Sequence, residues 1–237
     1  MRAGTSSLIG VIWERALDVV FPRRCLGCGA VGVFLCANCL ATAPRAAPPR
    51  CPTCWMPGHL PNAPCQRCRE SPPHFAAARC PFVFEGVTRE AVNALKYRGL
   101  SALAEGMAAP MAQCLEEWSP PVKAIVPVPL VGQRRRLRGY NQSELLAREL
   151  SRLSGLPLVS RALVRWRSGL PQARSASEEA RRRNVAEAFA LGPAPVAGGL
   201  LLVDDVLTSG ATLDACARVL RAGGAGPVYA LTFARED

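Results

Sequence analysis

The chain of 237 residues has no apolar run close to the roughly 20 residues that a membrane span needs. Its early run, Leu8–Trp13, is interrupted by Glu14 and Arg15, and no small-residue cleavage pattern follows it. We therefore expect no membrane span and no signal peptide, and we interpret Ser7–Val20 as a short amphipathic helix. A cytoplasmic location follows from these absences. Because disulfides are rare in a reducing compartment, the eleven cysteines need another use.

Histidine is also scarce, since the chain has only His59 and His74. Both lie in the cysteine-rich segment described below, and we interpret them as surface residues. The rest of the chain therefore has no histidine to act as a general base or to activate a cysteine nucleophile.

Acidic residues are few as well, with 18 Asp and Glu against 29 Lys and Arg and a formal net charge of +11. The segment Val131–Arg183 alone has thirteen arginines against four glutamates, which gives it a charge of +9. Such a segment favours polyphosphate ligands or nucleic acid as partners. The alternative is a solvated basic surface without a ligand.

Eight cysteines form four Cys-x-x-Cys pairs in a proline-rich region that has few large apolar residues. The pairs are Cys25/Cys28, Cys36/Cys39, Cys51/Cys54 and Cys65/Cys68. Two pairs complete one tetrahedral Cys₄ site, so the spacing predicts two structural zinc ions. Sequential pairing is the simplest arrangement, and the spacing also allows a cross-braced one. Because this region cannot build an apolar core, the metal must stabilise its fold.

The stretch Gly199–Thr212 carries a second chemical signal. Leu200–Val203 is an apolar run typical of a strand buried on both faces of a parallel sheet, and Asp204 and Asp205 follow at its carboxyl end. Ligands of open α/β sheets bind at that end. A small, hydroxyl-rich loop then opens a helix and is suited to hold a phosphate: Thr208, Ser209, Gly210, Ala211 and Thr212. The stretch predicts a sugar-phosphate site whose acids accept hydrogen bonds from sugar hydroxyls and can hold Mg²⁺ directly or through water. The alternative is an ordinary strand-turn-helix whose acids cap the turn.

The chain from about Arg79 onward alternates strands and helices in the order of a parallel α/β domain. The predicted strands are Cys80–Phe84, Val122–Val128, the strand before the acids, and Gly226–Phe233. The predicted helices are Val87–Tyr97, Ser101–Trp118, Ser143–Leu153 and the one after the hydroxyl-rich loop. Val164–Arg183 is interpreted as a mobile loop followed by a short helix. We expect three parts: the N-terminal helix in 1–20, a double zinc ribbon in 21–78, and the α/β domain in 79–237.

Together these blocks resemble the ComF family, which includes GntX-type proteins. Besides the cysteine pairs, the blocks are L-K-Y-R-G at 95–99, V-P-V-P-L at 126–130, R-R-L-R-G-Y-N-Q at 135–142, Q-A-R-S at 172–175, R-R-N-V-x-x-A-F at 182–189 and L-V-D-D-V-L-T-S-G-A-T at 202–212. The resemblance covers the chain from about residue 20. It implies a double zinc ribbon fused to a type I phosphoribosyltransferase-like domain, and a role in natural competence, the handling of incoming single-stranded DNA.

The resemblance also implies roles for individual residues. Asp204 and Asp205 would bind the ribose hydroxyls of phosphoribosyl pyrophosphate (PRPP), which comes with Mg²⁺, and are the catalytic candidates. The loop Thr208–Thr212 would bind the 5-phosphate. The candidates for contacts with pyrophosphate or DNA are Lys96, Arg98, Arg136, Arg138, Asn141 and Gln142.

Three functional hypotheses follow. The first is phosphoribosyl transfer to an acceptor that the sequence does not identify. The second is a protein without transferase activity that binds single-stranded DNA, with Tyr140 and Trp166 as stacking platforms. The third is an adaptor whose zinc segment binds a DNA-translocating partner protein.

Overall fold

The structure is a computed structural model that describes residues 22–58, 63–130, 136–166 and 188–237. Several predictions lie outside these ranges, namely the helix at Ser7–Val20, His59 and most of the segment Val164–Arg183. Within them, no helix is both long enough and apolar enough to cross a bilayer.

The cysteine-rich segment contains two short helices, α1 (Ala37–Ala41) and α2 (Gln66–Glu70). Each begins directly after a cysteine of a predicted pair, with Cys36 as the N-cap of α1 and Cys65 as the N-cap of α2. Helices of five residues are not stable in isolation. Helix α1 also packs through Leu40 against the main apolar core, whereas α2 packs against the second group of cysteines and depends on what holds them together.

The remaining described residues form an α/β fold around a parallel sheet, which confirms the predicted fold class. Its elements in chain order are β1 (Ala77–Arg79), β2 (Phe82–Val83), α3 (Gly86–Tyr97), α4 (Leu103–Trp118), β3 (Ala124–Pro127), α5 (Gln142–Ser154), β4 (Leu163–Arg165), β5 (Phe189–Leu191), β6 (Leu200–Leu207), α6 (Ala211–Ala222) and β7 (Val228–Arg235).

The sheet has the strand order β1-β7-β6-β3, and β2 pairs with the far end of β7. All of these pairs are parallel. Strands β4 and β5 form a separate antiparallel pair. The sequence predicted one strand at Cys80–Phe84, but this edge is made of two shorter strands. The break falls at Cys80 and Pro81, because a proline has no N–H to donate to the neighbouring strand.

Helices cover both faces of the sheet, and successive residues of the central strands alternate between two apolar cores. Leu201 and Val203 face the core formed with α3, α4 and α5, whereas Leu200 and Leu202 face the core formed with α6. This burial on both faces explains why the β6 sequence is a continuous apolar run.

The two neighbours of β6 end at different places, and this difference creates the site. Pairing with β3 stops at Pro127↔Val203, whereas pairing with β7 continues to Leu207↔Arg235. The prediction that the strand ends before the two aspartates is therefore wrong, since β6 runs on to Leu207. The strand persists because β7 still supplies hydrogen bonds there. Asp204 and Asp205 consequently lie beyond the end of β3, beside an open edge.

Candidate functional site

The eight paired cysteines gather into two groups, in the sequential arrangement. The first cluster is Cys25, Cys28, Cys36 and Cys39, and the second cluster is Cys51, Cys54, Cys65 and Cys68; within each, the sulfur atoms lie within 4.8 Å of one another. One sulfur pair in each cluster, Cys28/Cys36 and Cys54/Cys65, is 3.7 Å apart. A tetrahedral ion with Zn–S bonds of about 2.3 Å would set sulfur atoms about 3.8 Å apart. Both clusters can therefore hold a metal ion.

Backbone groups prepare one cysteine of each cluster to be a thiolate. Burial raises the pKa of the Cys51 thiol, but backbone N–H groups at Cys54 and Cys65 point at its sulfur and outweigh that effect. The net result is a pKa lowered to about 6, and Cys25 in the first cluster has its pKa lowered to about 6 in the same way. The thiolate is the form that binds metal.

A cleft of about 290 Å³ lies at the open edge beside β6. We call it the acidic cleft, because Asp204 and Asp205 form its wall. Of the other residues assigned a role above, those that line it are Lys96, Arg138, Asn141, Gln142, Thr208 and Thr212. The fold thus brings together residues from α3, α5, β6 and α6 and from the loop after β3.

Asp205 is 3% exposed, and its two carboxylate oxygens differ in their surroundings. Oδ1 lies 2.7 Å from Nζ of Lys96. Oδ2 is buried and has no hydrogen-bond partner among the described residues. A buried carboxylate oxygen normally has a partner. A ribose hydroxyl or Mg²⁺, which prefers oxygen ligands, would supply one.

Asp204 is hydrogen-bonded through one oxygen. The Ser143 hydroxyl donates to Oδ1 at 2.7 Å, and the backbone N–H of Asp205 donates to the same atom at 2.9 Å. Burial and the neighbouring charge of Asp205 nevertheless raise the pKa of Asp204 to about 7. Asp204 therefore keeps a proton over a range that reaches neutral pH.

Asn141 and Arg138 shape the cleft from the α5 side. Asn141 is buried, and its Oδ1 accepts from the Ser143 N–H at 3.2 Å while its Nδ2 donates to the Val128 carbonyl at 3.0 Å. It therefore caps α5 and fixes the loop after β3 at once. Arg138 donates to Oε1 of Gln142 at 2.9 Å, and its guanidinium lies 5.1 Å from the Tyr97 ring.

Two of the predicted cations lie elsewhere. Arg98 pairs with Glu90 at 2.9 Å and is exposed, and Arg136 is an exposed residue that is not among those lining the cleft.

The two proposed stacking residues differ from each other in exposure. Tyr140 is half-buried and donates its hydroxyl to the Leu95 carbonyl at 2.6 Å, whereas Trp166 is 61% exposed.

The hydroxyl-rich loop Thr208–Thr212, which we call the phosphate loop, divides between two clefts. Thr208 and Thr212 line the acidic cleft, whereas Ser209, Gly210 and Ala211 line a second cleft of about 370 Å³ next to the cysteine-rich segment. Gly210 is the N-cap of α6 and has a φ of +79°, a left-handed conformation that favours glycine. The loop thus turns sharply between the two clefts.

Sequence reasoning missed Ser143 and Arg165. Ser143 bonds to Asp204 from the first turn of α5, and Arg165 lines the cleft from the end of β4 with its guanidinium 5.0 Å from the Phe189 ring. Their positions depend on contacts between distant parts of the chain. The only sequence signal was the arginine excess, which does not distinguish Arg165 from its neighbours.

The fold and site define an α/β protein that has a parallel sheet, two Cys₄ clusters and an acidic cleft at the carboxyl ends of the strands.

No family model matches the chain. It is 32% identical to the DNA utilization protein YhgH of Salmonella typhi over 207 residues, which are 85% of this chain and 90% of that protein. Competence protein ComFC of Bacillus subtilis is 25% identical over 212 residues, 85% of this chain and 84% of that protein. Competence protein F of Haemophilus influenzae is 36% identical over 116 residues, 48% of this chain and 50% of that protein.

The first two of these matches each cover 85% of this chain. The chain belongs to the ComF family.

Proposed function

We propose that this protein binds PRPP with Mg²⁺ in the acidic cleft, carries structural zinc in its two cysteine clusters, and acts in DNA uptake. The observation that carries the proposal is the pair Asp204 and Asp205 beside an open strand edge, in the same cleft as the start of α6. The names of the relatives, a DNA utilization protein and two competence proteins, support the DNA-related part.

Each group in the cleft has a role toward a sugar phosphate. Asp204 and Asp205 accept hydrogen bonds from the ribose hydroxyls, and the buried Oδ2 of Asp205 gains the partner that it lacks among the described residues. Thr208, Thr212 and the first N–H groups of α6 bind the 5-phosphate, since a helix N-terminus favours an anion. Lys96 and Arg138 supply positive charge for the pyrophosphate. Mg²⁺, when bound, neutralises charge on the phosphate oxygens.

Phosphoribosyl transfer would then require an acceptor. Its nucleophile would form a bond to the ribose C1 while the bond to pyrophosphate breaks and pyrophosphate leaves. The protein's contribution is to position the sugar and to stabilise the charge on the leaving group. No histidine lines the cleft among the described residues, so the acceptor must bring its own nucleophile in a reactive form or lose its proton to water or a carboxylate.

The test is a calorimetric titration of PRPP with Mg²⁺ into the metal-loaded full chain. Saturable binding is expected for the wild-type protein, and the double variant Asp204→Asn/Asp205→Asn should lose it. Glu149→Gln is the matched control, because Glu149 lies on α5 outside the cleft and pairs with Arg152. The absence of PRPP binding to the wild-type protein would refute the proposal.

Single-stranded DNA binding is the second candidate function. The exposed Trp166 follows Arg165, which lines the cleft, and an exposed aromatic ring beside cations is suited to stack on a base. If this function is correct, affinity for a single-stranded oligonucleotide should fall steeply between 50 mM and 200 mM salt, by about 300-fold if six phosphates are contacted. Such binding should persist in the double aspartate variant, whereas PRPP binding should not.

A further inference from the structure

Helix α2 of the cysteine-rich segment lies against the phosphate loop. Arg67, between the cysteines Cys65 and Cys68 of the second cluster, donates from Nη2 to the backbone carbonyl of Ser209 at 2.5 Å. A Cβ atom at Gly210 would lie 3.7 Å from the same nitrogen. The guanidinium therefore contacts the loop at its sharpest turn.

A second contact holds the other end of the same turn. Asp214, in the first turn of α6, accepts at Oδ1 from the backbone N–H of His74 at 2.6 Å, and Nδ1 of His74 lies 3.0 Å from that oxygen. The segment 67–74 thus bonds to the loop at Ser209 and to the helix at Asp214. The N-terminus of α6 lies between these two bonds.

The bond from Arg67 fixes the direction of a peptide group. In a trans peptide the C=O and the following N–H point in opposite directions. Because the Ser209 oxygen is held toward Arg67, the N–H of Gly210 is turned away from α2. On either side of this peptide, Thr208 and Thr212 are the loop residues that line the acidic cleft. The orientation of the phosphate loop therefore depends on where α2 holds Arg67.

The position of α2 depends in turn on the second cluster. The buried apolar group around this helix consists of the four cysteines with Met56 packed against them. A helix of five residues with so little apolar packing needs the sulfur atoms to be held together, which a metal ion would do. The buried Arg235 at the end of β7 donates to the Cys54 carbonyl at 2.8 Å and fixes the cluster against the sheet.

We propose that Arg67 is a positioning residue for the phosphate loop and that it couples metal binding in the second cluster to ligand binding in the acidic cleft. The ligand part of this inference rests on the proposed function. Loss of the metal releases α2, the Ser209 carbonyl loses its donor, and the N–H groups at the start of α6 lose their common orientation.

The test compares Arg67→Ala with Arg69→Ala in the metal-loaded full chain. Arg69 is an exposed arginine of the same helix, and it donates to the Pro64 carbonyl inside the cysteine-rich segment. Metal content, melting temperature, amide hydrogen exchange of residues 208–214 and PRPP–Mg²⁺ affinity are measured for each variant. Arg67→Lys is the conservative variant, because a lysine can still donate one hydrogen bond.

Arg67→Ala should keep the metal content of the wild-type protein. It should speed amide hydrogen exchange of residues 208–214 by roughly 3- to 10-fold and weaken PRPP binding by a similar factor. This is the range expected for one net hydrogen bond. Arg69→Ala should match the wild-type protein, and Arg67→Lys should lie between the two. Removing the metal from the wild-type protein with a chelator should speed exchange of the loop at least as much as Arg67→Ala does.

Equal loop exchange in the Arg67→Ala and Arg69→Ala variants would overturn the positioning role. Unchanged loop exchange after metal removal would overturn the coupling, and this measurement stands even if Arg67→Ala fails to fold. Faster loop exchange in Arg67→Ala, together with no PRPP binding to any protein including the wild type, would refute the proposed function and leave the positioning role supported.

Discussion

The proton that Asp204 keeps in the folded protein should make the stability depend on pH in an unusual direction. Burial and the Asp205 charge raise the pKa of Asp204 from its ordinary value of 3.8 to about 7. Between these two pH values the folded protein keeps a proton that the unfolded chain has released. Stability is therefore lost as the pH rises through this window, and the full cost is present above pH 7.

The size of this effect follows from the two pKa values. Moving the pKa of one carboxyl from 3.8 to about 7 corresponds to about 4 kcal/mol in the fully ionised protein. About half of that cost is already present at pH 5.5. An Asp204→Asn variant has no such proton, and its side-chain oxygen can still accept from Ser143. Its stability relative to the wild-type protein should therefore rise by about 2 kcal/mol between pH 5.5 and pH 8.

Urea unfolding followed by circular dichroism at pH 5.5, 6.5, 7.5 and 8 measures this difference. In thermal unfolding, a difference of about 2 kcal/mol corresponds to a shift of about 4 to 8 °C in the melting temperature of a chain of this size. Metal release at the acid end would affect the variant and the wild-type protein alike, so the difference between them still reports the Asp204 carboxyl. A difference between variant and wild type that stays constant over this range would show that Asp204 is ionised throughout, and would refute the argument from burial. Glu149→Gln should show no such trend.

Two further predictions concern groups around the acid pair. Lys96→Met leaves the buried Asp205 without its cation and should lower the free energy of unfolding by about 2–4 kcal/mol, whereas Lys96→Arg should lose less; urea unfolding at pH 7.5 measures both. Asn141→Ala removes both the N-cap of α5 and the donor to Val128, so it should lower the free energy of unfolding by about 1–2 kcal/mol. An unchanged free energy of unfolding would show that water replaces both bonds.

The parts of the site that the sequence predicts are those encoded within a few residues. The Cys-x-x-Cys spacing predicts tetrahedral thiolate sites because a tight turn presents two sulfurs to one ion. The apolar run Leu200–Val203 followed by two acids predicts a buried parallel strand with polar groups near its carboxyl end. Both signals are local, and both agree with the elements that the structure shows there.

The parts that were missed depend on contacts between distant residues. Ser143 and Asp204 are 61 positions apart, and no local pattern indicates that they bond. Lys96 and Arg98 end the same helix, yet Lys96 contacts Asp205 while Arg98 contacts Glu90 on its own helix. The end of β6 was also not predictable, because the length of β6 depends on how far its neighbour β7 extends.

The position of β7 has a consequence for how the protein folds as it is synthesised. This strand pairs with β1, β2 and β6, yet it is the last of the described strands to leave the ribosome. Strands β1 and β2 therefore emerge before their neighbour in the parallel sheet, while each cysteine cluster can close as soon as its own short loop has emerged. We expect the clusters to be the first ordered parts of the nascent chain and the parallel sheet the last. Metal supply during translation would then decide how much of the chain is protected from aggregation before the sheet can form.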